Sequence, residues 1–406
     1  MTPSTPIETV EQLREYLYIA MQLEHATIPP YLTAAYSADI AKNSAAVKTI
    51  IAVAREEMLH LTLAANLLNA IGGKPDLLRV GFVPPYPCHL PDGETDFQVS
   101  IASLSEGTID TFLDIERPAP TGESHKASAV ITKDGDVRSV EVSSAGLAVH
   151  KMGSLSSEDG KIKYIEKKDL RSDTRGLGRG LLPSVSVTGP TGVVLELHFW
   201  SIGEFYNAIR NGFVHLASKP EPLFTGDASR QVDHKYYFSA GGDLTEIDNL
   251  DAALGAIDLI SAQGEGYTDE ISDMGKELAH FYRFEQIKLG KYYQAGDHPH
   301  HPQGDSFPVD FEAVHQIKQD AKIADYAADP VIEQKARLFN GLYRRFLQKL
   351  NKAFNGSPDL FKDSYKDMFR IKQEMEYLIN NPLTGTSLNA APTFEMTEFI
   401  DPPEES

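Results

Sequence analysis

The stretch REEMLHLTLAANLLNA, residues 55–70, decides the fold, because its apolar residues recur with helical spacing. One face of this predicted helix consists of Val53, Glu57, His60, Ala64 and Leu68. Residues i and i+3 share a face, so a carboxylate and an imidazole lie where core residues belong. Burying an unpaired carboxylate is costly, whereas a dication beside it would compensate the charge and coordinate both groups. The pattern therefore predicts a metal site inside a helical core.

The same Glu-x-x-His spacing recurs in KELAHFYRFEQIKLG, residues 276–290, which we interpret as a helix with Glu277 and His280 facing inward. About one such pair is expected by chance in a chain of this composition, so a single pair would be weak evidence. The chain has a third pair, Glu312 and His315, which lacks a partner glutamate on a helical hairpin. We interpret the third pair as surface.

The first pair belongs to a predicted helical hairpin that covers residues 6–72. The turn is predicted at Lys42–Ser44, and Gly72 marks the end of the second helix. Pro29 and Pro30 predict a kink or break in the first helix, since proline removes a backbone hydrogen bond and clashes with the preceding turn.

Each inward pair is expected to have one further glutamate on a neighbouring helix. Glu24 and the Glu57–His60 pair are nearly equidistant from the predicted turn, so an antiparallel hairpin would place them at about the same level. For the second pair the candidate is Glu204. An alternative for Glu204 stays open, because Ser201-x-x-Glu204 is also the pattern of a helix-capping box.

Two single glutamates and two Glu-x-x-His pairs make up the ligand set of di-iron carboxylate bundles. Carboxylates with two imidazoles suit iron or manganese better than copper, so we predict two iron ions, with manganese as the other candidate. A buried hydrogen-bonded network without metal is the alternative. Tyr31, Tyr206 and Tyr282 fall near the predicted ligands and are either core residues or catalytic participants in redox chemistry or hydrogen bonding.

The predicted fold is mainly α with a β-rich insertion, namely a four-helix bundle with additional C-terminal helices. Segments such as VITKDGDVRSVEV alternate and contain Asp-Gly turns, which predicts strands. We divide the chain into a first helical hairpin (1–75), the β-rich insertion (76–199), the second half of the bundle (200–297) and a C-terminal helical region and tail (298–406).

The composition excludes several function classes. The formal charge of −20, from 38 basic and 58 acidic side chains, argues against nucleic acid and anionic membranes as partners. We expect no membrane-spanning segment, no signal peptide and a cytoplasmic location. Cys88 is the one cysteine, which excludes internal disulfides and cysteine-based zinc or iron–sulfur sites within one chain.

Several segments together resemble the ferritin-like domain of the iminophenyl-pyruvate dimer synthase group. They are LEHATIPPYLTAAYS, EEMLHLTLAANLLNAIGG, SIGEFYNAI, QGEG, ELAHFYRFEQI, FNGLYRRFLQKLNKAFNG and PLTGTSLNAAPTFE. The resemblance implies a ferritin-like four-helix core. It implies metal ligands at Glu24, Glu57, His60, Glu204, Glu277 and His280, with Glu265 of QGEG as a second-tier ligand. It also implies oxidative coupling of two tryptophan-derived imines in bisindole biosynthesis.

Three functions compete at this point. The first is a di-metal oxidoreductase that uses dioxygen or peroxide on a small organic substrate, with an unidentified electron donor as a further partner and a homo-oligomer as a candidate assembly. The second is iron storage or peroxide scavenging, although a long insertion would burden a storage cage. The third is a binding protein without chemistry.

Overall fold

The computed structural model describes residues 7–93, 97–118, 126–131, 137–143, 146–151, 185–188, 194–197, 199, 201–237, 244–264, 271–273 and 277–403. The helices in these residues are α1 (Val10–Ser37), α2 (Ile40–Ala70), α3 (Glu106–Ile115), α4 (Ile202–Ala217), α5 (Leu250–Gly264), α6 (His280–Leu289), α7 (Pro330–Ala353) and α8 (Leu360–Ile379). The strands are β1 (Lys126–Ile131), β2 (Val137–Ser143), β3 (Gly146–Lys151), β4 (Val185–Thr188), β5 (Val194–Leu197), β6 (Ser272–Asp273) and β7 (Glu277–Leu278).

Helices α1 and α2 form the predicted antiparallel hairpin, but the turn between them lies earlier than expected. The hairpin turns at Ala38 and Asp39, where the Asp39 carboxylate caps α2 by accepting from the Ala41 amide at 2.9 Å. Asn43, which we predicted in the turn, lies inside α2 with non-helical torsion angles. Its side-chain amide donates to the carbonyls of Asp310 and Ala313, so this position anchors a distant segment instead.

The first helix continues through Pro29 and Pro30, so a break there is wrong, and a kink within the continuous helix stays a prediction. Proline at position 30 has no amide hydrogen to donate to the Ala26 carbonyl one turn earlier. The buried Tyr86 hydroxyl donates to that carbonyl instead, at 2.8 Å. The hydrogen bond that Pro30 removes is thus replaced from outside the helix, which helps α1 to tolerate this proline.

Four helices enclose the central core. Helix α4 packs against α1 and α5, and α5 packs in turn against α2, so that α1, α2, α4 and α5 surround one interior. Helix α6 packs against α2, α3 and α5 and closes one end of the group. Among the described residues, no helix combines the length and the apolar character that crossing a bilayer requires.

The second Glu-x-x-His segment is not one helix. We interpreted residues 276–290 as a helix, but α6 begins at His280, after an extended Ala279 N-cap. Glu277 lies before it in β7, which pairs antiparallel with β6. Arg283 holds this arrangement, because its guanidinium donates to the Leu278 carbonyl at 2.5 Å and to the Glu277 carboxylate at 3.0 Å.

The insertion contains the predicted strands and one helix that we did not predict. Strands β1, β2 and β3 form an antiparallel sheet in that order, and β4 pairs antiparallel with β5. Among the described residues of the insertion, the first strand begins at residue 126, whereas α3 precedes it and packs against α6. The insertion therefore reaches the bundle through a helix.

The C-terminal region is helical, as predicted. One face of α7 is apolar and buried, and it consists of Ala336, Phe339, Leu342, Phe346 and Leu350. Helix α7 packs against α8, and a hydrogen bond of 2.8 Å between Tyr343 and His25 joins α7 to α1.

Close packing of the C-terminal tail on α7 leads to a testable prediction. A Cβ at Gly341 would lie 1.9 Å from the Ile400 carbonyl oxygen, whereas a Cβ at Gly255 in α5 would meet nothing within 4 Å. We expect Gly341→Ala to lower the free energy of unfolding by about 1–3 kcal/mol. The matched change Gly255→Ala should raise it by up to about 1 kcal/mol, since alanine favours a helix.

Denaturant unfolding of the two variants beside the unchanged chain measures both effects. Equal stability of the two variants would contradict the docking of the tail on α7.

Candidate metal centre

The structure brings two groups of acidic and imidazole side chains together in the core. One group is Glu24, Glu57 and His60, and the other is Glu57, Glu116 and His280. The candidate ligand atoms within each group lie within 4.8 Å of one another, and all these residues are buried. Glu57 belongs to both groups, so the arrangement has the form of two metal positions that share one carboxylate.

The two oxygens of Glu57 face different imidazoles. Its Oε2 lies 3.8 Å from Nδ1 of His60, and its Oε1 lies 2.8 Å from Nδ1 of His280. Glu24 Oε2 is 3.4 Å from the first of these nitrogens, and Glu116 Oε2 is 3.5 Å from the second. The two rings stack with centroids 5.5 Å apart, so both present Nδ1 to the same small volume.

The contacts of His280 test whether these residues fit a metal. Its Nδ1 is buried and makes no hydrogen bond within the described part of the chain, although Glu57 Oε1 is only 2.8 Å away. Two ligand atoms that each lie about 2.1 Å from one ion, with a ligand–metal–ligand angle of about 90°, are about 3 Å apart. A nitrogen and an oxygen at this spacing without hydrogen-bond geometry therefore fit two ligands of a common cation.

Each group has one tyrosine hydroxyl that donates to its own glutamate. Tyr206 donates to Oε1 of Glu24 at 2.5 Å, and Tyr31 donates to Oε1 of Glu116 at 2.6 Å. In both cases the other oxygen, Oε2, faces the imidazole. The tyrosines therefore fix the rotation of the two carboxylates, which gives Tyr31 and Tyr206 a hydrogen-bonding role at the site.

The outer nitrogens of the two imidazoles have different partners. Nε2 of His60 lies 3.1 Å from Oε1 of Gln263 in α5, and Nε2 of His280 lies 2.8 Å from Oε2 of Glu56. The other oxygen of Glu56 accepts from Arg283 at 2.9 Å. Partners of this kind orient metal-ligating imidazoles in proteins.

Burial and mutual charge shift the pKa values of the acidic and imidazole groups strongly. Burial raises the pKa of Glu24 to about 8, and burial together with the charge of Glu57 raises the pKa of Glu116. Burial acts in the opposite direction on the imidazoles, but neighbouring carboxylates prevail and raise the pKa of His60 to about 10 and that of His280 well above its usual value. Burial also opposes ionisation of Glu57, yet His280 and His60 hold the pKa of Glu57 below its usual range. The groups thus share protons that a dication would displace.

The structure places the predicted site residues unequally. It brings Glu24, Glu57, His60 and His280 together, as the Glu-x-x-His argument required. Glu204 lies in the first turn of α4, where its backbone amide donates to Ser201 Oγ at 3.2 Å, which is the serine's half of a capping box. Its carboxylate is not a member of the two groups found among the described residues.

One further predicted ligand and one candidate tyrosine lie elsewhere, and another predicted ligand is not described by the structure. The Glu277 side chain is 66% exposed and pairs with Arg283, away from both groups. Glu265 lies outside the described residues. Tyr282 packs in a separate small cluster with Ala279 and Tyr293. The ligand roles of Glu204 and Glu265 stay predictions, whereas the ion pair with Arg283 gives Glu277 a different partner.

Two residues of the site were missing from the sequence prediction, namely Glu116 and Glu56. Glu116 caps the C-terminus of α3 and continues the buried stripe of Ile109 and Phe112 at helical spacing. The stripe that identified Glu57 would have identified Glu116 as well, had α3 been predicted as a helix. No pattern in the sequence identifies Glu56, because the apolar stripe of α2 passes through the adjacent residue, Glu57, and not through Glu56.

Comparison with known proteins agrees with this geometry. The model of the Ferritin-like family matches residues 17–155 and 191–289, which is more than half of the chain. The chain belongs to the Ferritin-like family. The predicted ferritin-like fold is thereby confirmed, and the matched ranges include all the members of the two ligand groups.

Two individual proteins extend the comparison of this ferritin-like chain. A solved structure of a ferritin-like protein from Caulobacter vibrioides has a TM-score of 0.55 and 21% identity, and the match covers 95% of this chain and 99% of that one. A curated relative, dichlorochromopyrrolate synthase from Lentzea aerocolonigenes, is 24% identical over 371 residues. That match covers 86% of this chain but only 30% of the relative's length.

Proposed function

We propose that this ferritin-like chain is a metal-dependent oxidoreductase that binds two iron ions and uses dioxygen or peroxide to oxidise a small organic substrate. The sharing of Glu57 between two carboxylate–imidazole groups is the observation that carries the proposal. Buried carboxylates and imidazoles are ligands that suit iron, and manganese is the other metal that they would accept. When bound, the iron ions would supply electrons to the oxidant.

The protein's own residues would hold the ions and fix the ligands. Glu24 and His60 would bind one ion, Glu116 and His280 would bind the other, and Glu57 would bridge them. The hydroxyls of Tyr31 and Tyr206 would keep one oxygen of each terminal carboxylate aimed at its ion. The surrounding core is buried, so the site excludes bulk water.

For the substrate class we propose amino-acid-derived imines, which would be coupled oxidatively in secondary metabolism. Support comes from the relative that is a dichlorochromopyrrolate synthase, although this chain spans only 30% of its length. Joining two carbons of the enamine tautomers forms one carbon–carbon bond and releases two electrons and two protons. Hydrogen peroxide would take these up to form two water molecules, and dioxygen would take them up to form hydrogen peroxide.

Loading the protein with ferrous iron separates this function from iron storage. After anaerobic loading and desalting, we expect about two iron atoms per chain. The loaded protein should then consume dioxygen or peroxide. His60→Ala and His280→Ala should each lower the iron content and the consumption, whereas His315→Ala should change neither, because His315 lies outside both groups.

The same measurement includes the result that would overturn the proposal. When excess ferrous iron is added in air, retention far above two atoms per chain in a large hollow assembly would show storage instead. Iron binding without any consumption of oxidant would show a binding protein.

A further inference from the structure

The two ligand groups match closely except in the partner of the imidazole. Each group has its own glutamate, a share of Glu57 and an inward-facing Nδ1. Each of the two glutamates accepts a hydrogen bond from a tyrosine hydroxyl. The outer nitrogen of His60, however, faces the neutral amide of Gln263, whereas that of His280 faces the carboxylate of Glu56.

Arg283 keeps Glu56 in place beside His280. Its Nη1 donates to Glu56 Oε1 at 2.9 Å, and its other nitrogens are held by Glu277 and by the Leu278 carbonyl. The Glu56 side chain is 5% exposed, so this guanidinium is the cation that stabilises its charged form in the core. Glu56 is therefore a fixed, ionised acceptor.

An ionised carboxylate and an amide act differently on an imidazole. A carboxylate can only accept, so Nε2 of His280 must carry a proton. In the neutral ring that binds a metal, Nδ1 would then be the nitrogen with the free lone pair, and it lies on the side of Glu57 and Glu116. A carboxylate partner also makes the imidazole a stronger metal ligand. An amide can present either its oxygen or its NH2 group, so Gln263 fixes neither the tautomer nor the charge of His60.

Given the two-metal centre proposed above, on which this inference rests, we propose that the two metal positions are unequal. The position formed by Glu57, Glu116 and His280 binds its ion first and more tightly than the position formed by Glu24, Glu57 and His60. Glu56 acts through His280 as a positioning residue and is the cause of the difference.

Anaerobic titration with Co²⁺, followed by calorimetry and by the visible absorption of the bound ion, tests the inference. The unchanged protein should bind two ions in two steps, with the first step about 10- to 100-fold tighter than the second. Glu56→Gln should weaken the first step by about 10- to 100-fold and leave the second step unchanged. The reciprocal change Gln263→Glu should tighten the second step, which a residue with a merely structural role would not do.

Further variants assign the steps to positions. His60→Ala should keep the tight step and lose the weak one, and His280→Ala should lose the tight step. Glu312→Gln, an exposed glutamate of the third Glu-x-x-His pair, serves as the matched control and should leave both steps within about twofold.

Two ions bound with equal affinity, or equal weakening of both steps by Glu56→Gln, would overturn the inference and leave the proposed function standing. The inference would also be overturned if Gln263→Glu did not tighten the weaker binding step. If Glu56→Gln does not fold, the titration of Gln263→Glu alone decides whether the inference holds. If the unchanged protein binds fewer than two ions, the proposed function fails as well.

Discussion

Glu57→Gln is expected to remove both metal ions, so that the metal content falls from about two per chain to nearly none. The reason is geometric, because the two oxygens of Glu57 face the two imidazoles His60 and His280 from one carboxylate. A neutral amide would also bring an NH2 group between two imidazole nitrogens that need an anionic partner. Elemental analysis after loading with ferrous iron and desalting measures the result.

The control for this change is Glu312→Gln, since Glu312 has the same spacing to a histidine but lies in an exposed turn. It should retain the full metal content. Circular dichroism of both variants shows whether the helices are intact. Retention of one full equivalent of metal by folded Glu57→Gln would mean that the two groups do not share this carboxylate.

Glu116→Gln is expected to remove one ion and keep the other. Glu116 belongs only to the group of His280, and its Oε2 lies 3.5 Å from Nδ1 of that residue. The group of Glu24 and His60 does not depend on it. Metal content should fall from about two per chain to about one, and the remaining ion should be lost when His60→Ala is added.

Glu277→Gln provides the contrasting variant, because the Glu-x-x-His spacing predicts this glutamate as the ligand in the same half of the site. The side chain is 66% exposed and bound to Arg283, so we expect the variant to keep both ions. Loss of metal in Glu277→Gln together with its retention in Glu116→Gln would reverse the assignment.

Local patterns in the sequence predicted half of this site well. A buried helical stripe contains Glu57 and His60, and the hairpin brings Glu24 to the same level even though the turn lies four residues earlier than predicted. An error of about one helical turn in the position of the hairpin turn shifts Glu24 relative to Glu57 by about 5 Å along the helix axis. Long glutamate side chains can still meet across such a shift. The positions of Glu57, His60 and Glu24 follow from helical periodicity and the hairpin, and both can be recognised in a single sequence.

The other half depends on tertiary structure that periodicity does not reveal. His280 reaches the site as the first residue of α6, and the segment before it pairs as a strand instead of continuing the helix. Glu116 reaches it from α3, a helix of ten residues inside a segment dominated by strand patterns. Position 116 is distant in sequence from every other member of the two groups, so no spacing rule links it to them.

The two prolines of α1 show the same limit on a smaller scale. The local rule that proline ends a helix is sound, and it fails here only because Tyr86, about 60 residues away, supplies the missing donor to Ala26.

The most direct test of the two-metal centre is anomalous X-ray scattering at the iron edge from crystals of the iron-loaded protein. Two peaks about 3.5–4 Å apart are expected, one on each side of the Glu57 carboxylate. The first should lie beside Glu24 and His60, and the second beside Glu116 and His280. A single peak, or peaks only at a surface site such as the histidines of residues 298–301, would contradict the account.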